Sequence, residues 1–566
     1  MAMKPDIEIA QRAKLKPITR IASYLGIPSK YLELYGRYKA KVSLDLVKEK
    51  PAKYKANYIV VTGITPTPLG EGKTVTTVGL SMALNRLGKK SIATIRQPSI
   101  GPFFGIKGGG LGGGYSQVLP MEDINLHLTG DIHAVSQAHN LCASFLDNSL
   151  YRDNRLNIDP KRIYWRRVVD VNDRALRNVR IALGAGVSGF ERDTGFCITA
   201  ASEIMAILAL TESIADMRKM VARIVVAVSK SGKAVTAEDL KVAGSMALLL
   251  KDAIKPNLVQ TIENTPCFVH TGPFANITHG NSSVLADRIA LGHSDFVVTE
   301  SGFGADCGLE KFVNIKCRYS GLAPQAVVLV ASIRALKVHS GMYKTAIGKP
   351  LSRDLERENL DALDHGCANL EKQIENTRLY GLPCIVAINR FATDTEREVA
   401  HVRARALEAG AFDCVTSDVY RFGSRGGIGL ARACLEACRT KSRFNLLYPS
   451  EMAIKDKIDR IARDVYGAKS VHYEKAAEDN IALFKKLGYS KLPICMAKTP
   501  LSLSHDPNLK GAPKNFILPI RDVRPSIGAG FLYALCGKML TMPGLPAYPA
   551  GEKIDIDAKG RMKYVH

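Results

Sequence analysis

The pattern of apolar residues predicts short buried strands that alternate with helices along most of the chain. Helical spacing is clearest from Val75 through Val78 and Met82 to Leu87, and Gly88 then has the position of a helix terminator. Such alternation is typical of an α/β protein with a mostly parallel sheet flanked by helices. Apolar, β-branched runs that predict strands lie at residues 58–62, 91–95, 224–228, 296–299, 327–330, 384–388 and 414–416.

Further patterns complete the predicted architecture. Helices are predicted at residues 7–13, 19–26 and 134–150, and a charged helix or turn is predicted at residues 31–38. With 566 residues, the chain has room for about three domains of ordinary size. We therefore expect a main α/β domain at residues 1–300, with smaller α/β segments at residues 301–420 and 421–566.

The sequence TPTPLGEGKT, residues 65–74, connects the first central strand to the helix that includes Val75. Successive N–H groups of a glycine-rich turn, together with a helix N-terminus, bind a polyphosphate. Lys73 would reach the outer phosphates, and Thr74 would offer its hydroxyl to magnesium, as in a P-loop. Thr67 stands where the standard pattern has glycine, and an ordinary Gly/Pro turn with a surface lysine is the alternative. The strand before and the helix after favour a P-loop NTPase-like fold.

Ligands of parallel α/β sheets bind beyond the carboxyl ends of the strands. Glu300 closes an apolar strand and Asp306 lies in the loop that follows, so either acid could order magnesium or its waters; solvated loop carboxylates are the alternative. Seven glycines among residues 105–114 are too many for a helix or strand and indicate a loop that approaches a ligand closely. A formal G-x-G-x-x-G match at residues 108–113 has no strand running into it, so it is weak evidence for a dinucleotide site.

The net charge of +24, from 78 basic and 54 acidic residues, is the unusual feature of the composition. The basic residues are dispersed, and the densest patch, residues 162–180, has few aromatic side chains on which bases could stack. We therefore interpret the charge as attraction for anionic small ligands, or as adaptation to a compartment, and nucleic-acid binding is not expected. Twelve cysteines without a C-x-x-C pair indicate a reducing compartment, and neither a membrane-spanning run nor a signal-peptide core is found.

Several long motifs resemble those of the formate–tetrahydrofolate ligases. Residues 105–115 (GIKGGGLGGGY) are similar to the family signature G-x-K-G-G-A-A-G-G-G-Y, and residues 330–341 (VASIRALKVHSG) are similar to V-A-T-x-R-A-L-K-x-H-G-G. Residues 121–133, 270–280 and 541–546 match further family motifs. The resemblance extends over essentially the full chain with the motifs in the family's order. It also accounts for the threonine at the outer position of the phosphate loop.

The resemblance implies a two-step reaction. ATP phosphorylates formate to give enzyme-bound formyl phosphate, and an amine nitrogen of tetrahydrofolate then attacks its carbonyl. The products are 10-formyltetrahydrofolate, ADP and phosphate. The family implies that Lys73 and magnesium, with Thr74 as a ligand, hold the ATP, and that the fork of Arg96 binds formate and then formyl phosphate. A structural ion pair with a nearby acid is the alternative for Arg96.

The resemblance also assigns the binding residues. Those for the nucleotide and acyl phosphate are Thr67, Pro68, Leu69, Gly70, Glu71, Gly72, Lys73, Thr74, Phe303, Gly304 and Asp306. In the family, two aromatic side chains sandwich the pterin ring of the folate. Phe391 matches the first of these, and Tyr420 stands where the second is usually tryptophan; core packing is the alternative for both.

Other expectations follow from the family. It implies a homotetramer activated by a monovalent cation, with cytoplasm as the default location and an organelle as the alternative. Leu111, Cys197 and Arg425 depart from the family pattern and allow a changed folate preference. A folate- or nucleotide-binding protein that has lost turnover, and a ligase for another carboxylate, therefore remain alternatives. In the three-part division, residues 301–420 would contribute nucleotide and folate loops.

Overall fold

The computed structural model describes residues 5–48, 54–107, 110–184, 186, 188–343, 345, 352–537 and 539–564. Its centre is one large sheet that draws strands from both sides of residue 300. The strands lie in the order Leu32–Leu34, Ala40–Val42, Asn257–Thr261, Pro266–Val269, Ser91–Ile95, Phe296–Glu300, Asn57–Gly63, Ala326–Ala331, Cys384–Asn389 and Asp413–Ser417. Ser116–Leu119 pairs with the end of Asn257–Thr261, and Gly112–Gly113 pairs with Ser116–Leu119.

The half of this sheet from Pro266–Val269 to Asp413–Ser417 is parallel throughout. In its register, Val60 lies opposite Thr299 on one side and Val327 on the other. The parallel strands are buried on both faces because helices cover both. This is the mostly parallel, helix-flanked sheet that the sequence predicts.

The two faces of the sheet bury different side chains of the same strand. Ile59 and Val61 point into a core formed with the helices Lys73–Arg86 and Ile428–Arg439, while Val60 points into the larger core on the opposite face. This alternation follows the two-residue repeat of a strand. It places the helix after the phosphate loop directly against the sheet.

Three expectations from the sequence are wrong in part. Residues 31–38 include the strand Leu32–Leu34, which forms a hairpin with Ala40–Val42, and are not a helix. The strand predicted at 224–228 exists as Val225–Ser229, but it belongs to a separate antiparallel sheet. Gly112–Gly113 makes a short strand within the glycine-rich stretch, because glycine allows the close approach of Ser116: a Cβ on Gly112 would lie 2.0 Å from the Ser116 carbonyl oxygen. Gly108 and Gly109 of the formal G-x-G-x-x-G match lie outside the described residues.

Smaller sheets surround the central one. An antiparallel sheet has the order Ala234–Thr236, Val225–Ser229, Ile158–Ile163; a mixed sheet near the C-terminus has the order Ser470–Tyr473, Ile517–Ser526, Phe531–Cys536, Ile494–Ala497. Paired strands also occur at Arg167–Val169 with Phe196–Ile198, Val179–Ile181 with Arg192–Thr194, and Ile554–Ile556 with Met562–Tyr564. The mixed sheet lies within the expected segment 421–566, whereas several of the other small sheets lie within residues 1–300; the division into domains remains a prediction.

The α-helices are Asp6–Arg12, Ile18–Leu25, Asp45–Lys48, Lys73–Arg86, Ile100–Pro102, Met121–Asn125, Asp131–Tyr151, Glu203–Leu210, Ile214–Ala222, Ala243–Leu249, Val284–His293, Arg318–Ser320, Ile333–His339, Leu360–Arg378, Glu396–Glu408, Val419–Phe422, Ile428–Arg439, Ile454–Arg460 and Lys475–Lys486. Segments wound as π-helix are Phe103–Lys107, Ala305–Leu309, Phe312–Cys317 and Ile461–Val465. None of the helices in the described part of the chain combines the length and apolar character needed to cross a bilayer.

Candidate active site

The phosphate loop, residues 67–74, lies between the strand Asn57–Gly63 and the helix Lys73–Arg86. Gly70 and Gly72 have φ angles of 75° and 82°, a region that side chains with a Cβ rarely occupy. A Cβ on Gly72 would also lie 2.4 Å from the Asn389 Nδ2 atom. Both features require glycine at position 72, directly before the helix begins.

Lys73 is paired with an acid of its own loop. Its Nζ atom lies 3.3 Å from Oε2 of the buried Glu71, and its side chain crosses Gly63, where a Cβ would lie 3.2 Å from Lys73 Cδ. Glu71 Oε1 accepts hydrogen bonds from the Thr67 backbone N–H at 2.6 Å and from the Thr67 hydroxyl at 3.1 Å. The hydroxyl of Thr67 in turn accepts from Leu69 N at 3.3 Å. The threonine at the outer position therefore uses its side chain to fold the loop.

Thr74, Glu300 and Arg96 meet beside this loop. The Thr74 hydroxyl donates to Glu300 Oε2 at 2.7 Å, and Arg96 Nε lies 3.7 Å from Glu300 Oε1. Arg96 Nη1 donates to the carbonyl of Pro273 at 3.1 Å. The guanidinium lies against Gly302, where a Cβ would be 3.1 Å from Nη2, so a larger residue would push it aside. Arg96 thus has an ion-pair partner and also faces a cavity.

A cavity of about 310 Å³ brings several predicted residues together. Thr74, Arg96, Glu300 and Phe303 line it, and Phe303 has a φ angle of 62°, which is unusual for an aromatic residue. The remaining described residues of its wall are Gln97, Pro98, Ser99, Pro102, Phe103, Ile106, Gly110, Asn172, Gly272, Phe274, Ala275, Asn276 and Pro543. The cavity therefore begins at the end of the phosphate loop and has a largely apolar wall.

The donor set beside the phosphate loop fits a magnesium ion. Thr74 and Glu300 supply a hydroxyl and a carboxylate oxygen 2.7 Å apart, and magnesium prefers such hard oxygen ligands. Asp306 is placed differently from the sequence expectation of a solvated or magnesium-ordering acid. Its carboxylate is fully buried and lies 2.8 Å from Nζ of the equally buried Lys498. Glu300 is therefore the acid that faces the cavity.

The two aromatic residues assigned to the pterin lie elsewhere on the strand ends. Phe391 is half-buried, with the Arg334 guanidinium 4.3 Å from its ring centre. The Tyr420 hydroxyl donates to Asp6 Oδ1 at 3.0 Å, and its ring lies against Gly113, where a Cβ would be 2.8 Å away. Neither aromatic residue is among the described residues that line the cavity. The structure thus joins Tyr420 to the glycine-rich signature and leaves both rings outside the described wall of the cavity.

Sequence reasoning missed the amide side chains of the cavity. Gln97 and Asn172 are buried, and within the described structure the polar atoms of both amides have no hydrogen-bond partner. Gln97 directly follows Arg96 at the end of a strand, and this position alone could have identified it as a residue of the site. Asn172 lies in no motif and reaches the wall only through the fold, where a Cβ on Gly105 would lie 2.4 Å from its Nδ2 atom.

Comparisons with known proteins agree over the full length. A family model described as formate–tetrahydrofolate ligase matches residues 4–565. Proteins named formate–tetrahydrofolate ligase are similar to this chain: that of Roseiflexus castenholzii is 57% identical, covering 99% of this chain and all of the relative. That of Desulforamulus reducens is 55% identical, covering 98% of each chain, and that of Saccharopolyspora erythraea is 54% identical, covering 99% of each. The chain belongs to the formate–tetrahydrofolate ligase family.

Of the three departures from the ligase-family pattern, two are packed inside the fold and one lies on the surface. Leu111 is buried in an apolar cluster, and the Cys197 thiol donates to the Thr541 hydroxyl at 3.2 Å. Arg425 is exposed. None of the three lines the cavity beside the phosphate loop, within the residues that the structure describes.

Proposed function

We propose that this chain is an ATP-dependent ligase that joins formate to tetrahydrofolate through enzyme-bound formyl phosphate. The proposal rests on one juxtaposition: the phosphate loop and Arg96 meet at one end of a cavity, with Glu300 between them. Membership of the formate–tetrahydrofolate ligase family supports the choice of formate and folate. An anion-binding arginine beside a nucleotide loop suits the phosphorylation of a small carboxylate.

In the first step, a formate oxygen attacks the γ-phosphorus of ATP, and the bond to the β-phosphate oxygen breaks to release ADP. Backbone N–H groups of the phosphate loop and the N-terminus of the following helix bind the polyphosphate. Lys73 exchanges Glu71 for phosphate oxygens when ATP arrives, since the ammonium is already held at the loop. The fork of Arg96 orients formate for attack and then holds formyl phosphate.

A magnesium ion would be held by Thr74 and Glu300 together with phosphate oxygens, as their spacing permits. When bound, the ion neutralises charge on the transferring phosphoryl group. Arg96 and Glu300 are already ion-paired, so binding of an anion by Arg96 would compete with that carboxylate. The Glu300 carboxylate is then free to face a cation.

In the second step, an amine nitrogen of tetrahydrofolate attacks the formyl carbon, phosphate leaves with the C–O bonding electrons, and the nitrogen loses its proton. Phe391 and Tyr420 would stack on the pterin. Both follow neighbouring parallel strands, Cys384–Asn389 and Asp413–Ser417, which supports a common site at the strand ends. The rings are not in the cavity, so the folate would approach it from outside.

Family membership also supports a homotetramer, activation by a monovalent cation and a cytoplasmic location. These are proposals for this chain. The cysteines in the described residues are free thiols, as expected in a reducing compartment. Sedimentation velocity tests the tetramer, and replacing potassium with tetramethylammonium in the activity assay tests the cation.

The decisive experiment follows both ADP and formylated folate with Mg-ATP, formate and tetrahydrofolate present. We expect ADP and 10-formyltetrahydrofolate to form in equal amounts, with no folate product when formate is omitted. ADP formation at an equal rate without formate and folate would refute the ligase. Acetate and propionate, tested in place of formate, distinguish a ligase for another carboxylate; folate or ATP binding without product would indicate a binding protein.

A further inference from the structure

A buried polar cluster lies behind the active-site loops and joins them through one glutamine. Gln373, on the helix Leu360–Arg378, donates from Nε2 to the Thr65 hydroxyl at 3.0 Å and to Asp306 Oδ1 at 2.7 Å. Its Oε1 accepts from the Asp306 backbone N–H at 2.9 Å. Thr65 lies two residues before the phosphate loop, and Asp306 follows Phe303 and Gly304, so one side chain connects both loops.

The same cluster is anchored to the C-terminal part of the chain. Asn369, one turn before Gln373 on the same helix, donates to the Thr65 hydroxyl at 2.9 Å and to the Gly511 carbonyl at 2.8 Å. Lys498, next to the strand Ile494–Ala497, makes the buried ion pair with Asp306. Two separate parts of the C-terminal region, at Lys498 and Gly511, therefore contact Asp306 and Asn369 of this cluster.

These contacts also constrain the wall of the cavity. A Cβ on Gly304 would lie 2.5 Å from Asp306 Oδ1 and 3.2 Å from Gln373 Nε2, so the loop is packed tightly against the cluster. Phe303, which lines the cavity, is held at a φ of 62° next to this glycine. A residue stays in such a backbone conformation only where its surroundings fix it. The hydrogen bonds of Asp306 on one side of Phe303, and that of the Gly302 N–H to the Gly280 carbonyl on the other, fix the loop around it.

We propose that Gln373 is a positioning residue that sets the spacing between the phosphate loop and the cavity loop, residues 302–306, with Lys498 and Asn369 fixing it in place. The inference rests on the proposed function, because spacing matters when phosphate and carboxylate must meet for transfer. Through Lys498 and Gly511, the C-terminal region would then influence the reaction although neither residue lines the cavity.

The closing experiment compares Gln373→Met with a matched pair at its partner, Thr65→Val and Thr65→Ser. Methionine keeps the length of the side chain but cannot form the hydrogen bonds of the amide. At position 65, valine removes the hydroxyl and serine keeps it. We expect Gln373→Met and Thr65→Val to lower kcat by roughly 10- to 100-fold with KM for ATP within about threefold. Thr65→Ser should restore kcat to within about threefold of the unmodified enzyme.

Hydrogen exchange of the ligand-free protein provides a readout that needs no turnover. We expect Gln373→Met to speed exchange in residues 65–74 and 302–306, while the distant strand Asn257–Thr261 keeps its protection. Unchanged exchange in both loops, or equal kcat losses for the valine and serine variants, would overturn the proposal. If Gln373→Met does not fold, the comparison of kcat between Thr65→Val and Thr65→Ser tests the proposal on its own. Absence of formate-dependent turnover in the unmodified enzyme would refute the proposed function and leave the exchange comparison valid.

Discussion

At the scale of single residues, Lys73 is held in place before any nucleotide arrives. Glu71 is itself fixed by the backbone and hydroxyl of Thr67, so the ammonium group has a defined starting position 3.3 Å from Oε2. The acid also keeps the lysine charge compensated in a half-buried place. Exchange of one anion for another costs less than ordering a free side chain. We therefore expect the rate of ADP formation to depend strongly on Lys73.

Replacing Lys73 with alanine should lower the rate of ADP formation by at least roughly 100-fold, since a charge aimed at the transferring phosphoryl group is lost. Lys89→Ala, at an exposed lysine beyond the end of the same helix, is the matched control and should retain full activity. Rates are measured by coupled ADP release, and thermal melting checks the fold. A fully active Lys73→Ala enzyme would show that this lysine does not bind phosphate.

Arg96 should discriminate between the two substrates of the first step. Arg96→Lys keeps the positive charge but loses the fork, so we expect KM for formate to rise by about tenfold or more while the Kd for ATP changes less than threefold. Steady-state kinetics and calorimetry with ADP and ATP provide the two values. Equal losses in formate and nucleotide binding would assign Arg96 to the ion pair with Glu300 alone.

Substitutions of Tyr420 test whether its ring stacks on the pterin of the folate. Tyr420→Trp should bind folate equally or more tightly, because a larger ring covers more of the pterin. Tyr420→Phe is the control: it keeps the ring and removes only the hydroxyl that donates to Asp6. Affinities are measured by fluorescence titration or calorimetry. A large loss of affinity with tryptophan and none with phenylalanine would mean that Tyr420 supports the glycine-rich segment and does not stack on the pterin.

At the scale of elements, the parallel half of the sheet was predictable and its antiparallel edge was not. The strand Ser91–Ile95 has the predicted bounds because a short run rich in apolar and β-branched residues is buried on both faces. Ala40–Val42 was missed because it contains Lys41, a charge that normally indicates a surface. In the fold that ammonium is buried 2.7 Å from Asp131, a partner ninety residues away. Compensation by a distant residue cannot be predicted from local patterns.

Glu310 lies between the two π-helical segments Ala305–Leu309 and Phe312–Cys317, and it predicts an effect of pH on stability. Burial raises the pKa of Glu310 to about 7, despite the neighbouring Lys311 and a hydrogen bond from Asn314. Between the ordinary value of 4.5 and about 7, the unfolded chain releases a proton that the folded protein retains. The contribution of this group to stability therefore falls as pH rises through that window.

Glu310→Gln should remove this dependence because the amide is neutral at every pH and its oxygen still accepts from Asn314. We expect its melting temperature to match that of the unmodified protein at pH 5 and to exceed it at pH 8. Glu408→Gln, at an exposed carboxylate, is the control and should show no such trend. Differential scanning calorimetry measures both. A melting-temperature difference that does not grow between the two pH values would show that Glu310 is ionised in the folded state.

At the scale of the whole molecule, the site is assembled from strand ends that lie far apart in sequence. Lys73, Thr74 and Arg96 were identifiable because each follows a recognisable strand. Gln373 and Lys498 were not, since a glutamine within a helix and a lysine after a short strand look like surface residues until the fold buries them. Family motifs identified the first group through sequence patterns. Only the packing of the helix Leu360–Arg378 and of the C-terminal region against Asp306 identifies the second.

The net charge of +24 leads to a prediction for the molecule as a whole. Both ATP and formate are anions, and a positive field raises their local concentration and their association rates. Salt screens such a field, with a Debye length that falls from about 10 Å at 0.1 M to about 3 Å at 1 M. Raising ionic strength should therefore increase KM for ATP several-fold while kcat changes less than about twofold, since contacts within the buried site are screened weakly.

The measurement must separate screening from activation by a bound cation. Tetramethylammonium chloride is added at fixed potassium and fixed free magnesium, because its large cation is a poor fit for a compact oxygen-lined site. Sucrose of equal osmolality is the control for solvent effects and should leave KM unchanged. A KM for ATP that does not change across the series would show that the positive charge does not serve to attract ATP. Tight, salt-sensitive RNA binding in the same buffers would then indicate nucleic acid as the anionic partner, because its affinity falls steeply with salt.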